Sequence, residues 1–506
     1  MNRLQRLILS ILIALILGAV VSLLSPGSFW IGWLAAFIIL LPCLYLMFTA
    51  WQWSDGGKLL AWMMAVAFLL RLGIGIGVSK ALPVYGYKTE VQWHGYLFRD
   101  SHERDIAAWN LAQSDAPLWT SFSSEIKVDQ YGGLLSLSAA IYRYLSPDAH
   151  RPFLVLLLGA FATAIGIPFF IKGVALRWNK RLANLAAWVI ILYPDSVFFG
   201  SSQMREPFML GLSAIAFWAV LSRDKLKVRL PVFLASLAGM LLISSRLAVA
   251  IAAFLVVWVI IDELLPMYRG PKWVVWGSMI LGAVVITALS FGWFVESASL
   301  DIYMTEQSSG WVQKIIAEAG ESFRVPFIVA YGLAQPVLPA AIAEPTIPLW
   351  RLIMVPRAAG WYLLAPVFIY GLFSAFKALP KRDRWIWLWT GVFLLLWLLL
   401  SSYRAGGDAW DNPRYRTAFL PWFALLAGWA VLQAIDHRDV WLARWLLVEA
   451  IFLGFFTNWY FSRYYLWWGR LSFEKMVIWI IGLSAVVLSS GLWGKWARKL
   501  FKRQEK

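Results

Sequence analysis

The stretch FRDSHERD, residues 98–105, is the first long polar interruption in an otherwise apolar chain. It places three carboxylates and a histidine within six positions, directly ahead of a helical apolar pattern over residues 106–112. Runs of about 20 apolar residues recur on both sides of it, which is the length a helix needs to cross a bilayer. The sequence therefore predicts an all-α polytopic membrane protein with this stretch in a polar loop.

Composition agrees with that fold class. The chain has 506 residues, of which 61% are hydrophobic and 14% charged, against about a quarter charged in soluble domains. The net charge of +17 comes mostly from basic residues in short loops between apolar runs. This is typical of the positive-inside rule and of anionic lipid headgroups, and we expect no nucleic-acid partner. A single cysteine, Cys43, excludes an internal disulfide.

The basic residues set the predicted topology. With Arg3 and Arg6 on the cytoplasmic side, spans at about 7–24, 29–50 and 59–79 place the long region 80–151 outside. The apolar segment Leu134 to Leu145 is too short to cross, so we expect a helix lying along the interface. Because this helix does not cross, the next basic loop falls on the cytoplasmic side.

The rest of the chain alternates in the same way, for about fourteen spans in total. The acidic loop 295–325 falls outside, and prolines in 326–350 argue against one straight helix there. The predicted later spans are 152–172, 183–199, 206–222, 230–246, 247–264, 273–294, 353–376, 384–402, 414–434, 440–461 and 474–494. We expect three parts: anchor spans 1–58, a catalytic core 59–435, and 436–506 with C-terminal spans and a basic cytoplasmic tail.

The first candidate site is the opening stretch. A carboxylate such as Asp100, held just above the bilayer, can accept a proton from a hydroxyl as general base. Glu103 and Asp105 are candidate second carboxylates. Asp100 and Glu103 also fit a helix capping box, and His102 with Glu103 is a candidate metal pair without a standard spacing.

Two further clusters fall on outer turns. Tyr193-Pro194-Asp195 is followed by Arg205-Glu206, where Pro207 indicates a helix start at Glu206. A cation at a helix N-terminus opposes the dipole, so Arg205 needs an anionic partner. The break Ser244-Ser245-Arg246 is too short for an ordinary loop, and an arginine at that depth needs a partner or a path to the headgroups.

The last cluster lies in residues 403–416. Its arginines are Arg404, Arg414 and Arg416. Guanidinium groups bind phosphate oxygens in a forked geometry. An anionic phosphate ligand is therefore the interpretation that these residues favour.

Together these pieces resemble the GT-C class of integral-membrane glycosyltransferases, near the protein O-mannosyltransferase and aminoarabinose-transferase branch. The resemblance covers roughly residues 59–435. It rests on Asp100 with Ala107-Ala108-x-x-Leu111, Tyr131-Gly132-Gly133-Leu134-Leu135, Tyr193-Pro194 with Arg205-Glu206, and Asn412-Pro413-Arg414-Tyr415-Arg416 with Pro421. Glu103 and Arg104 stand where many members have an aromatic residue, and two extra spans precede the loop.

The resemblance implies an inverting transfer of a sugar from a polyprenyl-phosphate donor to a hydroxyl of a glycan, lipid or protein acceptor. By position it implies Asp100 as general base. From the residues themselves, Glu103, Asp105, Asp195 and Glu206 are candidate second carboxylates or acceptor contacts. It implies donor phosphate binding by Arg205, Arg246, Arg404, Arg414 and Arg416. Whether a divalent metal takes part stays open.

Two other functions stay open from the residues. A lipid-linked oligosaccharide polymerase or ligase would also use outward-facing arginines, without needing a catalytic carboxylate. A transporter or flippase would show internal repeats and polar residues near mid-bilayer. We expect a multi-pass plasma (inner) membrane protein, contacting membrane lipids, with both termini cytoplasmic and the active site extracytoplasmic.

Overall fold

A computed structural model describes the chain as helices joined by short loops. The described residues are 2–123, 131–222, 224–268, 270–271, 273–274, 276–277, 281, 320–378, 381–466 and 468–504, and they contain no strand. Within these ranges nine helices are long and apolar enough to cross a membrane, or up to eleven if each of two bent pairs is one span. The polytopic helical class is confirmed. The count of about fourteen spans stays a prediction.

Two compact units divide the chain. The first comprises Met1–Ala283 and Arg414–Leu425, and the second comprises Val284–Pro413 and Leu426–Lys506. The first contains the helices α1 (Arg3–Leu23), α2 (Phe29–Trp53), α3 (Gly57–Tyr85), α4 (Glu90–Trp93), α5 (Arg99–Gln113), α6 (Gly133–Leu145), α7 (Phe153–Arg177), α8 (Lys180–Leu192), α9 (Pro194–Gly200), α10 (Glu206–Leu221), α11 (Leu226–Val259) and α12 (Leu265–Met267).

The loops of the first unit gather at two ends. At one end Arg151 donates to the carbonyl oxygen of Ser28 at 2.9 Å, so the turn before α2 meets the start of α7. At the other end Lys172 donates to the carbonyl oxygen of Trp53 at 2.6 Å, so the last turns of α2 and α7 meet. The two helices therefore run in the same direction, as the predicted alternation of spans requires.

Helix α11 reverses direction at Ser244. The backbone of Ser244 is non-helical, with φ −159° and ψ 88°, and Arg229 forms an ion pair of 2.7 Å with Glu263 beyond the end of α11. In a continuous helix these residues, 34 positions apart, would be separated by roughly 50 Å. The segment is therefore a hairpin of two helical arms, which agrees with the predicted spans 230–246 and 247–264 and with a tight turn between them.

The predicted span 183–199 is broken rather than straight. Helices α8 and α9 meet at an angle of 56°. The buried guanidinium of Arg71, on α3, donates to the carbonyl oxygens of Ile190 and Ile191 at the end of α8, at 3.3 and 3.4 Å. It also donates to Ser196 Oγ at 2.7 Å on α9. In a membrane such freed carbonyls need an internal donor, and Arg71 supplies it.

Close backbone contact holds α7 against α10. A Cβ atom added at Gly211 would lie 1.9 Å from the carbonyl oxygen of Ala162, and one at Gly166 would lie 2.9 Å from Gly211 Cα. Small residues allow membrane helices to approach in this way, so that dispersion contacts replace the missing hydrophobic effect. These two helices form the support on which the N-terminus of α10 is held.

The second unit is helical in its described residues. Its helices, two of which continue into residues 414–425, are α13 (Glu321–Ala334), α14 (Leu338–Ala343), α15 (Pro348–Ala378), α16 (Lys381–Ala405), α17 (Asp411–Thr417), α18 (Leu420–Asp436), α19 (Val440–Tyr464) and α20 (Phe473–Gln504). The segment 326–350 is divided between several helices, as its prolines predict. The predicted span 414–434 is also interrupted, because α17 and α18 meet at 74°.

A buried arginine fixes the loop before α17. Arg357 lies 3.8 Å above the ring of Trp410 and donates to the carbonyl oxygen of Ala409 at 3.1 Å. Asn412 donates to the carbonyl oxygens of Gly406 and Asp408 at 2.7 and 3.1 Å. The loop is therefore held by side chains at both of its ends. Most of the predicted span 273–294 and of the acidic loop 295–325 lies outside the described residues.

Candidate functional site

Helix α5 carries the opening stretch and begins two residues earlier than a capping box with Asp100 as N-cap requires. Its N-cap is Phe98, without a side-chain cap, so Asp100 lies inside the first turn. Glu103 instead pairs with Arg99 at 2.6 Å on the exposed face. The capping-box alternative is therefore wrong. The ring of Phe98 stacks on Phe199 of α9, with centroids 5.0 Å apart, which brings the start of α5 to the bend after α8.

The centre of the candidate site is one guanidinium between two carboxylates. Arg414 Nη1 lies 2.7 Å from Asp100 Oδ2, and Arg414 Nε lies 2.5 Å from Glu206 Oε1. We call these three residues the Arg414 cluster. Arg414 is 314 positions from Asp100 and 208 positions from Glu206 in the sequence. Hydrogen bonds of this length between charged groups are stronger than those between neutral groups. The structure thus brings together three predicted site residues from three separate loops.

Each member of the Arg414 cluster is placed by a helix end. Asp100 is in the first turn of α5, and Glu206 begins α10 as predicted, with Pro207 behind it. Both carboxylates therefore lie at the positive end of a helix dipole, which stabilises their charge. Arg414 lies on the short helix α17, before the 74° bend into α18.

Two further arginines surround Asp100. Arg104, one turn later on α5 and buried, donates to the carbonyl oxygens of Gln203 and Asp100 at 3.1 and 3.3 Å. The guanidinium of Arg205 lies 4.8 Å from the centre of the Tyr131 ring. Burial raises the pKa of the Asp100 carboxyl, but the charges of Arg414, Arg104 and Arg205 outweigh it and hold the pKa below its ordinary value. Asp100 is therefore ionised at neutral pH.

Asp105 lies on another face of α5 and has a full set of donors. Tyr96 and Tyr142 each donate a hydroxyl to it at 2.5 Å, and His150 Nε2 lies 3.0 Å from Oδ2. Burial and the charge of Asp105 raise the pKa of both tyrosines, which remain donors. This buried group joins α5 to α6 and to the turn before α7. Its geometry is that of an anchor for the helix that carries Asp100.

The candidate metal residues are engaged with other side chains. His102 stacks on His94 with centroids 5.1 Å apart and contacts Tyr96 at 5.0 Å. Burial and the neighbouring His94 lower the pKa of His102, which favours its neutral form. Glu103 is in its ion pair with Arg99. In the part of the chain that the structure describes, no three His, Cys, Asp or Glu side chains form a group that could hold a metal ion.

The remaining predicted residues divide between the two units. Asp195 is fully buried in the first turn of α9, and Arg416 is buried on α17, two positions after Arg414. Arg246 follows the reversal of α11, whose Leu242 carbonyl oxygen lies against Gly133 at the start of α6. Arg404 belongs to the second unit, at the end of α16. Among the predicted phosphate ligands, Arg414 forms ion pairs with both Asp100 and Glu206.

Several residues of this region were not selected from the sequence. Arg104 follows Asp100 by four positions, a spacing that places both on one helix face, and this signal could have identified it. Tyr96, Tyr142 and His150 are spread over 55 positions, and no spacing connects them to Asp105. Only the fold shows that they meet.

The arrangement combines an ionised carboxylate with a partly exposed guanidinium and two nearby cations. Such a set can accept a proton from a hydroxyl and can stabilise a phosphate anion. No described protein family, curated protein or solved structure matches this chain.

Proposed function

We propose that this protein is a GT-C-type glycosyltransferase that transfers a sugar from a polyprenyl-phosphate donor to an acceptor hydroxyl. The observation that carries the proposal is the Arg414 cluster, in which a candidate base and a candidate phosphate ligand are 2.7 Å apart. In an inverting displacement the hydroxyl attacks and the phosphate leaves on opposite faces of the anomeric carbon, so the base and the phosphate ligand belong to one site but lie on opposite sides of the sugar. Contact between Asp100 and Arg414 places both groups in one site, and the sugar enters between them when they separate.

The proposed reaction is a single inverting displacement. Asp100 removes the proton of the acceptor hydroxyl, whose oxygen forms a bond to the anomeric carbon of the sugar. The bond between that carbon and the phosphate oxygen breaks, and its electron pair leaves with the polyprenyl phosphate. The phosphodiester monoanion thereby becomes a phosphomonoester with one more negative charge. Arg414, with Arg205 beside Asp100, stabilises that charge as it develops.

The acceptor would approach Asp100 from its exposed side. The Asp100 side chain is 55% exposed, whereas Arg414 is 18% exposed and Glu206 is 3% exposed. A hydroxyl group from solution can therefore reach Asp100 but not Glu206. Within the proposal the loop end of the first unit that carries α5 and α6 faces the extracytoplasmic side of a plasma (inner) membrane, where polyprenyl-linked sugars would be presented.

The test is release of free polyprenyl phosphate by the purified protein in lipid. A panel of polyprenyl-phosphate sugars is incubated with wild type, with Asp100→Asn and with Asp115→Asn, an exposed carboxylate shortly after α5. A panel of glycan, lipid and peptide hydroxyl acceptors is included, and water takes the place of the acceptor in reactions without one. We expect release by wild type and by the Asp115 variant, and loss of about 10²–10⁴-fold in the Asp100 variant. Release by all three would retain the enzyme and reject Asp100 as base. No release from any donor would contradict the proposed function.

A further inference from the structure

The two carboxylates that pair with Arg414 differ in burial, and this difference decides which of them a ligand can replace. Glu206 is buried at the start of α10, and its Oε2 atom lies inside the protein without a hydrogen-bond partner among the residues that the structure describes. A buried carboxylate that lost its guanidinium would leave an uncompensated charge, at high free-energy cost. Glu206 is therefore a permanent partner of Arg414.

Asp100 is in the opposite situation. Its carboxylate is more than half exposed, so water can replace Arg414 as its partner. Because the carboxylate of this pair is exposed, its solvation compensates for part of the attraction that is lost when the pair separates. Two more cations, Arg104 and Arg205, act on its charge from the sides. Separating Asp100 from Arg414 is thus inexpensive and leaves neither group without compensation.

A phosphate group that reaches Arg414 Nη1 meets the atom that Asp100 already uses. The guanidinium edge that faces Asp100 is the exposed one, since the Nε edge faces buried Glu206. Two anions cannot both bind Nη1 at hydrogen-bond distance without repelling each other. An arriving phosphate must therefore compete with Asp100, and not with Glu206.

We propose that the donor phosphate replaces Asp100 on Arg414, while Glu206 holds the guanidinium in place, so that donor binding itself releases the catalytic base. This inference rests on the proposed function and assigns Glu206 the role of a positioning residue rather than an acceptor ligand. Before donor binds, Asp100 is neutralised by Arg414 and is a poor proton acceptor. After exchange it faces the new negative charge, becomes more basic, and is free to bind the acceptor hydroxyl.

The closing experiment measures binding rather than turnover. The full-length protein in lipid nanodiscs is titrated with polyprenyl phosphate, the product, as wild type, Asp100→Asn and Asp115→Asn. Because asparagine does not compete for Arg414, we expect Asp100→Asn to bind about threefold more tightly than wild type. Asp115→Asn, which removes an exposed carboxylate outside the Arg414 cluster, should bind as wild type does.

A double-mutant cycle separates exchange from simple repulsion. In an Arg414→Gln background the advantage of Asp100→Asn should disappear, because there is no guanidinium to compete for. An Arg414→Gln/Glu206→Gln background, which leaves no buried charge, repeats the comparison if the single variant fails to fold. The exchange would be overturned if Asp100→Asn still tightened binding of polyprenyl phosphate in these backgrounds, or if it did not tighten binding when Arg414 is present. Either result would leave the proposed glycosyltransferase function standing. Absence of binding to wild type would contradict the proposed function and this inference together.

Discussion

The hydroxyl group of Tyr142 on α6 lies 2.5 Å from Oδ1 of Asp105 on α5, and both side chains are buried. Tyr142→Phe removes this donor and leaves a buried carboxylate oxygen without it. We expect the variant to lose about 1–3 kcal/mol of stability, measured as a lower unfolding temperature of the purified protein. Tyr144→Phe is the matched control, because Tyr144 is on the same helix and 69% exposed. Equal unfolding temperatures for both variants would reject the anchoring role of Asp105.

The ion pair of Asp148 with Arg151 should make the stability of the folded protein depend on pH. Hydrogen bonds from the Arg151 guanidinium lower its pKa from 3.8 to about 2. A carboxyl with a lowered pKa stabilises the folded state above its unfolded pKa and loses that effect as pH falls through the folded one. The difference in unfolding temperature between wild type and Asp148→Asn should therefore be full above pH 4 and shrink between pH 4 and 2. Asp115→Asn should show no such difference, and a constant gap across this range would contradict the assignment.

The exchange on Arg414 predicts two different acid limbs in the rate profile. The pH dependence of kcat/KM reports the free enzyme, and that of kcat reports the enzyme with donor bound. Asp100 acts when ionised, and its pKa in the free protein is below the ordinary value. On acidification we expect kcat to begin to fall at a higher pH than kcat/KM does. In Arg414→Gln, which lacks the guanidinium that lowers the pKa of Asp100, kcat/KM should begin to fall at a higher pH than in wild type. If kcat and kcat/KM of wild type fell at the same pH, this would count against the exchange.

Contact between α7 and α10 predicts an unusually sensitive glycine. A Cβ atom at Gly211 would overlap the carbonyl oxygen of Ala162, a backbone atom that cannot move without displacing α7. Gly211→Ala should destabilise the protein by about 1–3 kcal/mol, measured by thermal unfolding. Gly73→Ala is the control, since a Cβ atom there meets nothing within 4 Å. Similar unfolding temperatures would show that these helices are further apart than described.

The reversal of α11 can be tested by crosslinking. Arg229 and Glu263 form an ion pair between the two arms. After the one native cysteine, Cys43, is replaced, Arg229→Cys/Glu263→Cys should be joined by a flexible bifunctional thiol reagent that spans the length of the two side chains it replaces, since a direct disulfide needs closer backbones than an arginine–glutamate pair requires. Two cysteines at 229 and 246 are the negative control, because the latter lies beside the turn at Ser244. Crosslinking of the control alone would require a different path for the chain.

Much of the fold was predictable because hydropathy is a local property. The apolar runs placed α1, α2, α3 and α7 to within a few residues, and the polar break at Ser244 identified a turn. The bends were not predictable, because the stability of the break after Leu192 depends on a donor at Arg71, about 120 positions away. The periodicity of apolar residues does not show which distant side chain will stabilise a bend.

The candidate site was predictable as a set of residues and not as a set of contacts. Asp100, Glu206 and Arg414 were each selected from their own loops for their charge and position. Their convergence depends on how three helix ends meet, which one sequence does not contain. Asp105 shows the reverse problem: its spacing from Asp100 suggested a second reactive carboxylate, while its neighbours Tyr96 and Tyr142 bury it.

Arg71 also has a consequence for the lipids in which the protein resides. A membrane helix usually adapts to a thinner or thicker bilayer by tilting or kinking on its own. Helix α8 cannot do so independently, because its last carbonyl oxygens are bound to a guanidinium that belongs to α3. A change of bilayer thickness must therefore tilt α3 and α8 as one piece, and the bend into α9 moves with them.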